Sequence, residues 1–236
     1  MTFARSVQPE WLDHLPASDP RAIRSRGDLR RINRLMATTT LLGNALDPLL
    51  VGRERAHLVE LGAGDGNVML RLARVRAKRW PLVRLGLLDL QPVVTPAVLE
   101  GYRALDWTPE LIQADVFDWL ADGSGMSFSN DAPIIVANLF LHHFDDPRLA
   151  ELLQGIASRA SAFVCLEPRR SPTALLGSRL LGVIGCNDVT RHDAVVSVRA
   201  GFRDGELSAL WPSVGGWCLA EGAAGMFNHR FVAVRT

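Results

Sequence analysis

The stretch that decides the fold is HLVELGAGDGN, at residues 57–67. It begins as an apolar run, includes one carboxylate at Glu60, and passes into three glycines at alternate positions. The residues that follow, 68–74, have the apolar spacing of a helix. A buried strand, a tight glycine turn and a helix form the opening unit of a doubly wound α/β sheet. Because ligands of such sheets bind beyond the carboxyl ends of the strands, the turn predicts a ligand site.

The spacing of the glycines distinguishes between ligands. A dinucleotide fingerprint has its third glycine two residues after the second, but here that position is Asn67. The pattern Glu-x-Gly-x-Gly-x-Gly, formed by Glu60, Gly62, Gly64 and Gly66, resembles the first motif of the class I S-adenosylmethionine-dependent methyltransferases. This resemblance implies that S-adenosylmethionine is the cofactor and that these four residues bind it. A chance glycine turn in an unrelated α/β protein is the alternative.

Polar residues at the ends of three later predicted strands extend the resemblance. Asp89 ends the second strand, where a carboxylate can accept hydrogen bonds from both ribose hydroxyls, and Leu90 follows it. In the family, the position of Asp115 faces the adenine amino group and that of Val116 packs on the ring. Asn138, at the end of the fourth strand, completes the implied cofactor contacts. The alternative for each acid is a helix N-cap.

Strands and helices alternate from residue 57 onward, which predicts an α/β fold with a Rossmann-like, seven-stranded, mostly parallel sheet. The resemblance implies that a C-terminal antiparallel hairpin closes this sheet. The predicted strands are 57–61, 82–89, 110–115, 133–138, 162–167, 216–220 and 226–234, with a turn at 221–222 in the hairpin. The predicted helices between them are 66–76, 95–104, 116–121 and 146–160.

Two helical regions flank or interrupt this alternation. Residues 1–55 are predicted to be a helical N-terminal extension, and 56–236 the methyltransferase domain. Within the domain, residues 168–215 form a substrate-covering helical insertion after strand five. The resemblance implies that this insertion, together with the N-terminal helices, covers the cofactor. Its predicted helices are 171–185, 193–200 with Asp193 as N-cap, and 205–210. Further expectations are a restart or kink at 27–28, a helix end near 47–48 and a surface loop at 123–131.

Two histidines are candidates for a catalytic general base, a role that histidine fills most often. His142 and its neighbour His143 follow the fourth strand, where the family's methyl-receiving chamber opens. His142 is expected to line the cofactor pocket or to have a structural role, and His143 to cap the next helix or face solvent. His192 lies in a polar cluster of the covering segment, which predicts either a wall of the substrate chamber or a solvated helix cap.

Composition and missing motifs limit the partners. The formal net charge of +1 gives no electrostatic case for nucleic acid binding. Strand four lacks the Asn/Asp-Pro-Pro-Tyr/Phe motif of amide- and base-directed N-methyltransferases, and residues 174–186 are apolar, so the expected acceptor is a small apolar molecule. The three cysteines have no metal-binding spacing and suggest reduced thiols, so no metal site is expected. With no secretory signal and no apolar stretch long enough to cross a membrane, we expect a cytoplasmic protein.

The leading hypothesis is therefore an S-adenosylmethionine-dependent methyltransferase that acts on a phenolic or enolic oxygen. The chain more broadly resembles bacterial methyltransferases of secondary metabolism. The alternatives are a non-catalytic S-adenosylmethionine-binding interaction protein and a nicotinamide-dependent reductase, against which Asn67 argues. The acceptor, the methylated atom and the oligomeric state stay open.

Overall fold

The computed structural model describes residues 3–122, 132–213 and 215–236, and these contain one seven-stranded sheet. In chain order the strands are β1 (Arg55–Leu61), β2 (Leu82–Asp89), β3 (Thr108–Gln113), β4 (Ile134–Asn138), β5 (Ala162–Pro168), β6 (Trp217–Ala224) and β7 (Asn228–Arg235). Their order in the sheet is β3-β2-β1-β4-β5-β7-β6. The first five pair in parallel, whereas β7 pairs antiparallel with β5 and β6. The predicted sheet is confirmed.

Helices cover both faces of the sheet. In the described residues they are α1 (Trp11–His14), α2 (Pro20–Leu35), α3 (Thr38–Leu50), α4 (Asn67–Arg76), α5 (Pro96–Arg103), α6 (Val116–Asp122), α7 (Asp146–Arg159), α8 (Pro172–Arg179), α9 (Asp188–Ala200) and α10 (Glu206–Leu210). On one face, α3, α4 and α5 enclose a cluster that includes Leu58 of β1. On the other face, α6, α7 and α10 enclose a second cluster that includes Val59 and Leu61. Alternate residues of β1 thus serve opposite cores.

The N-terminal extension is part of this packing. Leu42, Leu46 and Leu50 of α3 are fully buried in the same cluster as Leu58. The order of strands reverses between β1 and β4, where crevices for ligands form in doubly wound sheets. The glycine turn after β1 lies at this point.

Several predicted boundaries differ from the structure. Helix α2 continues through residues 27–28, and α3 passes Pro48 and ends at Leu50. The predicted helix 171–185 is shorter, because α8 ends at Arg179 and a 3-10 turn follows. Strand β6 extends through 221–222, the expected turn, because each of its residues up to Ala224 pairs with β7. The loop expected at 123–131 lies outside the described residues.

The prediction that Asp193 is an N-cap of its own helix is wrong. Helix α9 begins at Asp188, and the Asn187 side chain caps it by accepting a 2.9 Å hydrogen bond from the backbone N–H of Thr190. Asp193 instead accepts bonds of 2.8 and 3.0 Å from the backbone N–H groups of Trp11 and Leu12. It therefore stabilises the start of α1, 182 positions earlier in the chain.

Of the three cysteines, Cys165 and Cys186 are buried and Cys218 is exposed. None of the helices in the described ranges combines the length and the apolar character needed to cross a membrane.

Candidate active site

The glycine turn after β1 has the backbone conformation for which its glycines are needed. Gly62, Gly64 and Gly66 have φ angles of 63°, 53° and 70°, in the left-handed region. A Cβ on Gly62 would overlap the ring of Phe140, so no side chain fits there. A Cβ on Gly64 would meet no atom within 4 Å, because Gly64 borders an open space. The backbone at Gly64 is therefore accessible to a ligand.

Asp89 fixes this turn to the end of the neighbouring strand. Its Oδ2 accepts a 2.8 Å hydrogen bond from the backbone N–H of Gly64, and its Oδ1 accepts one of 2.9 Å from that of Gln91. A carboxylate oxygen has two lone pairs, so each can accept one more hydrogen bond. The pair Gly64 and Asp89 thus presents a backbone and a carboxylate on the same side of the sheet edge.

Asp115 caps a helix, which was the alternative to a cofactor contact, and also borders the candidate site. Its Oδ1 accepts a 2.7 Å bond from the backbone N–H of Phe117, so it caps the start of α6. It also lines the cavity described below, together with Val116. Capping therefore does not remove Asp115 from the candidate site.

Glu60 and Asn138 each hold a buried oxygen that has no partner among the described residues, Oε2 and Oδ1 respectively. Burial, followed by the charges of Asp65 and Asp89, raises the pKa of Glu60 well above its usual value. Glu60 does not line the cavity, whereas Asn138 does. Only Asn138 of the two can contact a ligand directly in this conformation.

A cavity of about 450 Å³ opens at the edge of the sheet beside the glycine turn. Its volume lies in the range of small-molecule sites, about 300–1,000 Å³. Most of the site residues predicted from the sequence line it: Gly62, Gly64, Asp89, Leu90, Asp115, Val116, Asn138 and His142. Three predicted residues do not, namely Glu60, Gly66 and His192. Gly66 instead ends the turn and precedes α4, and its carbonyl accepts a 2.6 Å bond from the Tyr102 hydroxyl.

The N-terminal extension, one of the two segments expected to cover the cofactor, forms the opposite wall of this cavity. It contributes Glu10, Leu12, Asp13, Arg26, Leu29, Arg30 and Asn33. Of the predicted covering segment, by contrast, Ser197 is the one described residue in the lining. Arg26 and Arg30 are four residues apart in α2, so their common face was detectable from the sequence. The Arg30 guanidinium lies 2.6 Å from Asp65 of the glycine turn.

His142 is buried between two carboxylates. Its Nδ1 lies 2.8 Å from Glu167 Oε2, and its Nε2 lies 3.2 Å from Glu10 Oε1. Burial alone would lower the pKa of His142, but the hydrogen bonds and charges of these two carboxylates raise it to about 10. A protonated imidazole with both nitrogens bonded cannot accept a proton, so His142 in this state is not a general base.

Glu167 is fully buried, and its role reaches beyond His142. Its Oε1 accepts hydrogen bonds of 3.0 and 2.8 Å from the backbone N–H groups of Phe140 and Leu141. This carboxylate at the end of β5 thus shapes the chain after β4 and orients the His142 ring.

His143 and His192 occupy different surroundings. His143 lines the cavity, its side chain is 26% exposed, and its Nδ1 lies 3.2 Å from Asp13 Oδ2. The ring of His192 stacks on Trp11 with centroids 3.9 Å apart, and its Nδ1 lies 2.9 Å from Asp193 Oδ1. His192 therefore supports the segment that carries Glu10, behind the wall of the cavity.

Two ends of the cavity can be distinguished. We call residues 62–65 and 88–91 the glycine-loop end, and Glu10, Asp13, His142 and His143 the histidine end. Phe140 and Phe144 lie in the same cavity, with ring centroids 5.2 Å apart.

No protein-family model matches the chain, and no curated protein sequence matches it. Solved structures do match along most of its length. The chain is 21% identical to the mitomycin 7-O-methyltransferase MmcR, over 95% of this chain and 60% of that one, with a TM-score of 0.57. It is 16% identical to an O-methyltransferase family protein from Burkholderia thailandensis, over 93% and 61% of the two chains, with a TM-score of 0.58.

The plantazolicin methyltransferase BpumL, solved with a triazolic desmethylPZN analog and SAH, matches over 93% of both chains. The identity is 11% and the TM-score 0.62. The chain thus spans about three fifths of the length of the first two proteins and nearly all of the third. These similarities establish that it has the fold of the class I methyltransferases, as predicted.

Proposed function

We propose that this protein transfers a methyl group from S-adenosylmethionine to a small, largely apolar acceptor, at a phenolic or enolic oxygen. The observation that carries the proposal is the glycine-loop end of the cavity. There the accessible backbone of Gly64 and the carboxylate of Asp89 lie together, next to the switch point between β1 and β4. The complex of BpumL with SAH supports the choice of cofactor.

The chain offers a matching group for each part of this cofactor. Asp89 has free lone pairs for the ribose hydroxyls, and Asp115 beside Val116 provides an acceptor and an apolar contact for adenine. The space beside Gly64, which a Cβ would fill, accommodates a ligand against the backbone. We assign Arg30 to the carboxylate of the methionyl portion, because guanidinium and carboxylate groups pair in a bidentate geometry.

When bound, S-adenosylmethionine supplies a methyl group on a positively charged sulfur, and the rest of the cofactor is a neutral thioether leaving group. The acceptor oxygen would form the new bond to the methyl carbon as the carbon–sulfur bond breaks, and the hydroxyl proton would pass to solvent. The residues of the chain align the two reactants and exclude water. Leu12 and Leu29 on one wall, with Phe140 and Phe144 on the other, give the cavity the apolar surface suited to this task.

The apolar lining of the cavity supports the proposal of a largely apolar acceptor. The sequence based it on residues 174–186, but Leu176, Leu180 and Val183 of that stretch are exposed side chains outside the cavity lining. The apolar contribution comes instead from the N-terminal extension and the chain after β4. The names of two structural neighbours, both O-methyltransferases, agree with oxygen as the methylated atom.

Calorimetric titration with S-adenosylmethionine, SAH and NADH tests the proposal. We expect saturable binding of the first two and none of NADH. Asp89→Ala removes charge-assisted hydrogen bonds worth about 1.5–3 kcal/mol, so its affinity should fall roughly tenfold to a hundredfold. Asp89→Glu should keep part of the affinity. Glu100→Ala, which removes an exposed carboxylate on α5, is the matched control.

Unchanged affinity in Asp89→Ala would contradict the assignment of the ribose site. Binding of S-adenosylmethionine without methyl transfer to any phenol or enol in a panel of aromatic acceptors would favour a non-catalytic binding protein.

A further inference from the structure

Three side chains that can bind a metal meet at the histidine end of the cavity. Glu10, His142 and His143 each offer one ligand atom, and these atoms all lie within 4.8 Å of one another. Glu10 and His142 are buried and His143 is partly buried. Glu10 Oε1 and His142 Nε2 are 3.2 Å apart. Two ligands bound at about 2.0–2.2 Å to a tetrahedral ion are separated by roughly that distance.

Carboxylates lie behind both histidines. Glu167 Oε2 is 2.8 Å from Nδ1 of His142, and Asp13 Oδ2 is 3.2 Å from Nδ1 of His143. In metal sites a histidine ligand commonly donates its second ring N–H to a carboxylate, which fixes the tautomer and the orientation of the ring. Both histidines here have the partner that this arrangement requires.

The charges of the cluster are unbalanced. Glu10, Asp13 and Glu167 supply three carboxylates around the two imidazoles, and Glu167 is fully buried. Arg5, whose charge reaches Glu167, is itself paired with Asp146 at 2.7 Å. A divalent cation among these groups would offset the negative charge of the three carboxylates.

We propose that Glu10, His142 and His143 form a binding site for one divalent transition-metal ion, open to the cavity. Imidazole nitrogens with one carboxylate suit ions such as Zn²⁺, Fe²⁺ or Co²⁺, whereas Mg²⁺ prefers oxygen ligands. On binding, the ion takes the place of the proton between His142 Nε2 and Glu10, and this proton passes to solvent.

Three protein ligands leave a coordination position free on the cavity side. In that position the ion would bind the acceptor oxygen and favour its ionised form, a role that rests on the proposed methyl transfer. This arrangement would supply the activation that His142 cannot supply as a base. The sequence predicted no metal site, because it contains no local ligand spacing and Glu10 lies 132 positions before His142.

Metal binding is tested on the dialysed, cofactor-free full chain by titration with Co²⁺, followed by its visible absorption, and with Zn²⁺ by calorimetry. We expect one Co²⁺ per chain, displaced by Zn²⁺ and unaffected by excess Mg²⁺. Glu10→Gln and His143→Gln should each lower the affinity at least about tenfold. Glu167→Gln removes the charge behind His142 but keeps a side-chain oxygen for the backbone N–H groups that donate to Glu167, and it should lower the affinity about tenfold to a hundredfold.

The matched control is His14→Gln, an exposed histidine of the same short helix as Asp13, which should bind Co²⁺ like the unchanged chain. Circular dichroism checks that each variant is folded, and His143→Gln serves if Glu10→Gln does not fold. Absence of stoichiometric binding, or equal loss in His14→Gln, would overturn the site. These metal titrations contain no cofactor, so a negative result would not argue against S-adenosylmethionine binding. Likewise, a failure to bind S-adenosylmethionine would not affect the interpretation of the metal titrations.

Discussion

The two ends of the cavity differ in how the chain builds them. The glycine-loop end is made by short segments that directly follow β1 and β2, and its main contact joins Gly64 to Asp89, 25 positions apart. The histidine end joins Glu10 to His142 and Asp13 to His143, pairs separated by well over a hundred positions. One end is thus a local property of a strand–turn–helix unit. The other exists only when the N-terminal extension is docked.

The largest expected effect concerns the carboxylate that organises the histidine end. Glu167→Ala removes a fully buried partner of His142 and leaves three backbone N–H groups without an acceptor. Loss of one member of a buried pair costs about 3–5 kcal/mol. We expect the free energy of unfolding, measured by urea denaturation, to fall by that amount.

Glu151→Ala is the control for this prediction. It removes an exposed carboxylate 2.7 Å from Arg148 and should change the stability by about 0–1 kcal/mol. Equal effects of the two variants would mean that the buried arrangement at the histidine end contributes no more than a surface pair.

Gly64→Val should abolish cofactor binding, with at least about a hundredfold loss of affinity by calorimetry. A β-branched side chain opposes a φ of 53° and occupies the space beside the turn. Gly52→Val is closely matched, because Gly52 also has a positive φ of 86° and open space around it, but lies outside the cavity lining.

We expect Gly52→Val to affect stability alone, and both variants to keep their circular dichroism spectra. If a folded Gly64→Val variant bound S-adenosylmethionine normally, the glycine-loop end would not be the cofactor site, and the proposed difference between the two ends would be wrong.

A moderate effect is expected where the N-terminal extension reaches the glycine-loop end. Arg30→Ala should weaken S-adenosylmethionine binding about tenfold, or 1.4 kcal/mol, if its guanidinium pairs with the methionyl carboxylate. Its side chain is about half exposed, which limits the effect. Arg34→Ala, an exposed arginine one helical turn further along α2, is the control. An unchanged affinity would remove Arg30 from the site.

The smallest effect is expected for His192. A general base contributes roughly a hundredfold to ten-thousandfold in rate, but this ring stacks on Trp11 behind the cavity wall. We therefore expect His192→Ala to change the methyl-transfer rate constant less than about threefold, and cofactor affinity hardly at all. A hundredfold loss that is recovered at high pH, where a phenolic acceptor ionises by itself, would instead make His192 the base.

Local patterns in the sequence identified the sheet and the glycine-loop end. Glycines with positive φ and acids at strand ends determine the conformation of neighbouring residues. Their spacing can therefore be recognised in the sequence. The same approach was wrong for Asp193, because its carboxylate caps α1 of the N-terminal extension and not its own helix. The sequence also did not identify Glu10 or Glu167 as partners of His142. No local sequence pattern indicates which distant residue a carboxylate will contact.

The sequence by itself determined the order of strands and helices, the class I methyltransferase fold and the position of the turn beside β1. These features depend on apolar periodicity and on backbone angles, which act over a few residues. Only the tertiary structure decided how much each of the two predicted covering segments contributes to the second wall of the cavity, and that His142 and His143 both line it. These features depend on charged groups that are buried together. The interaction of His142 with Glu10 and Glu167 forms only when the N-terminal extension packs against the end of β4.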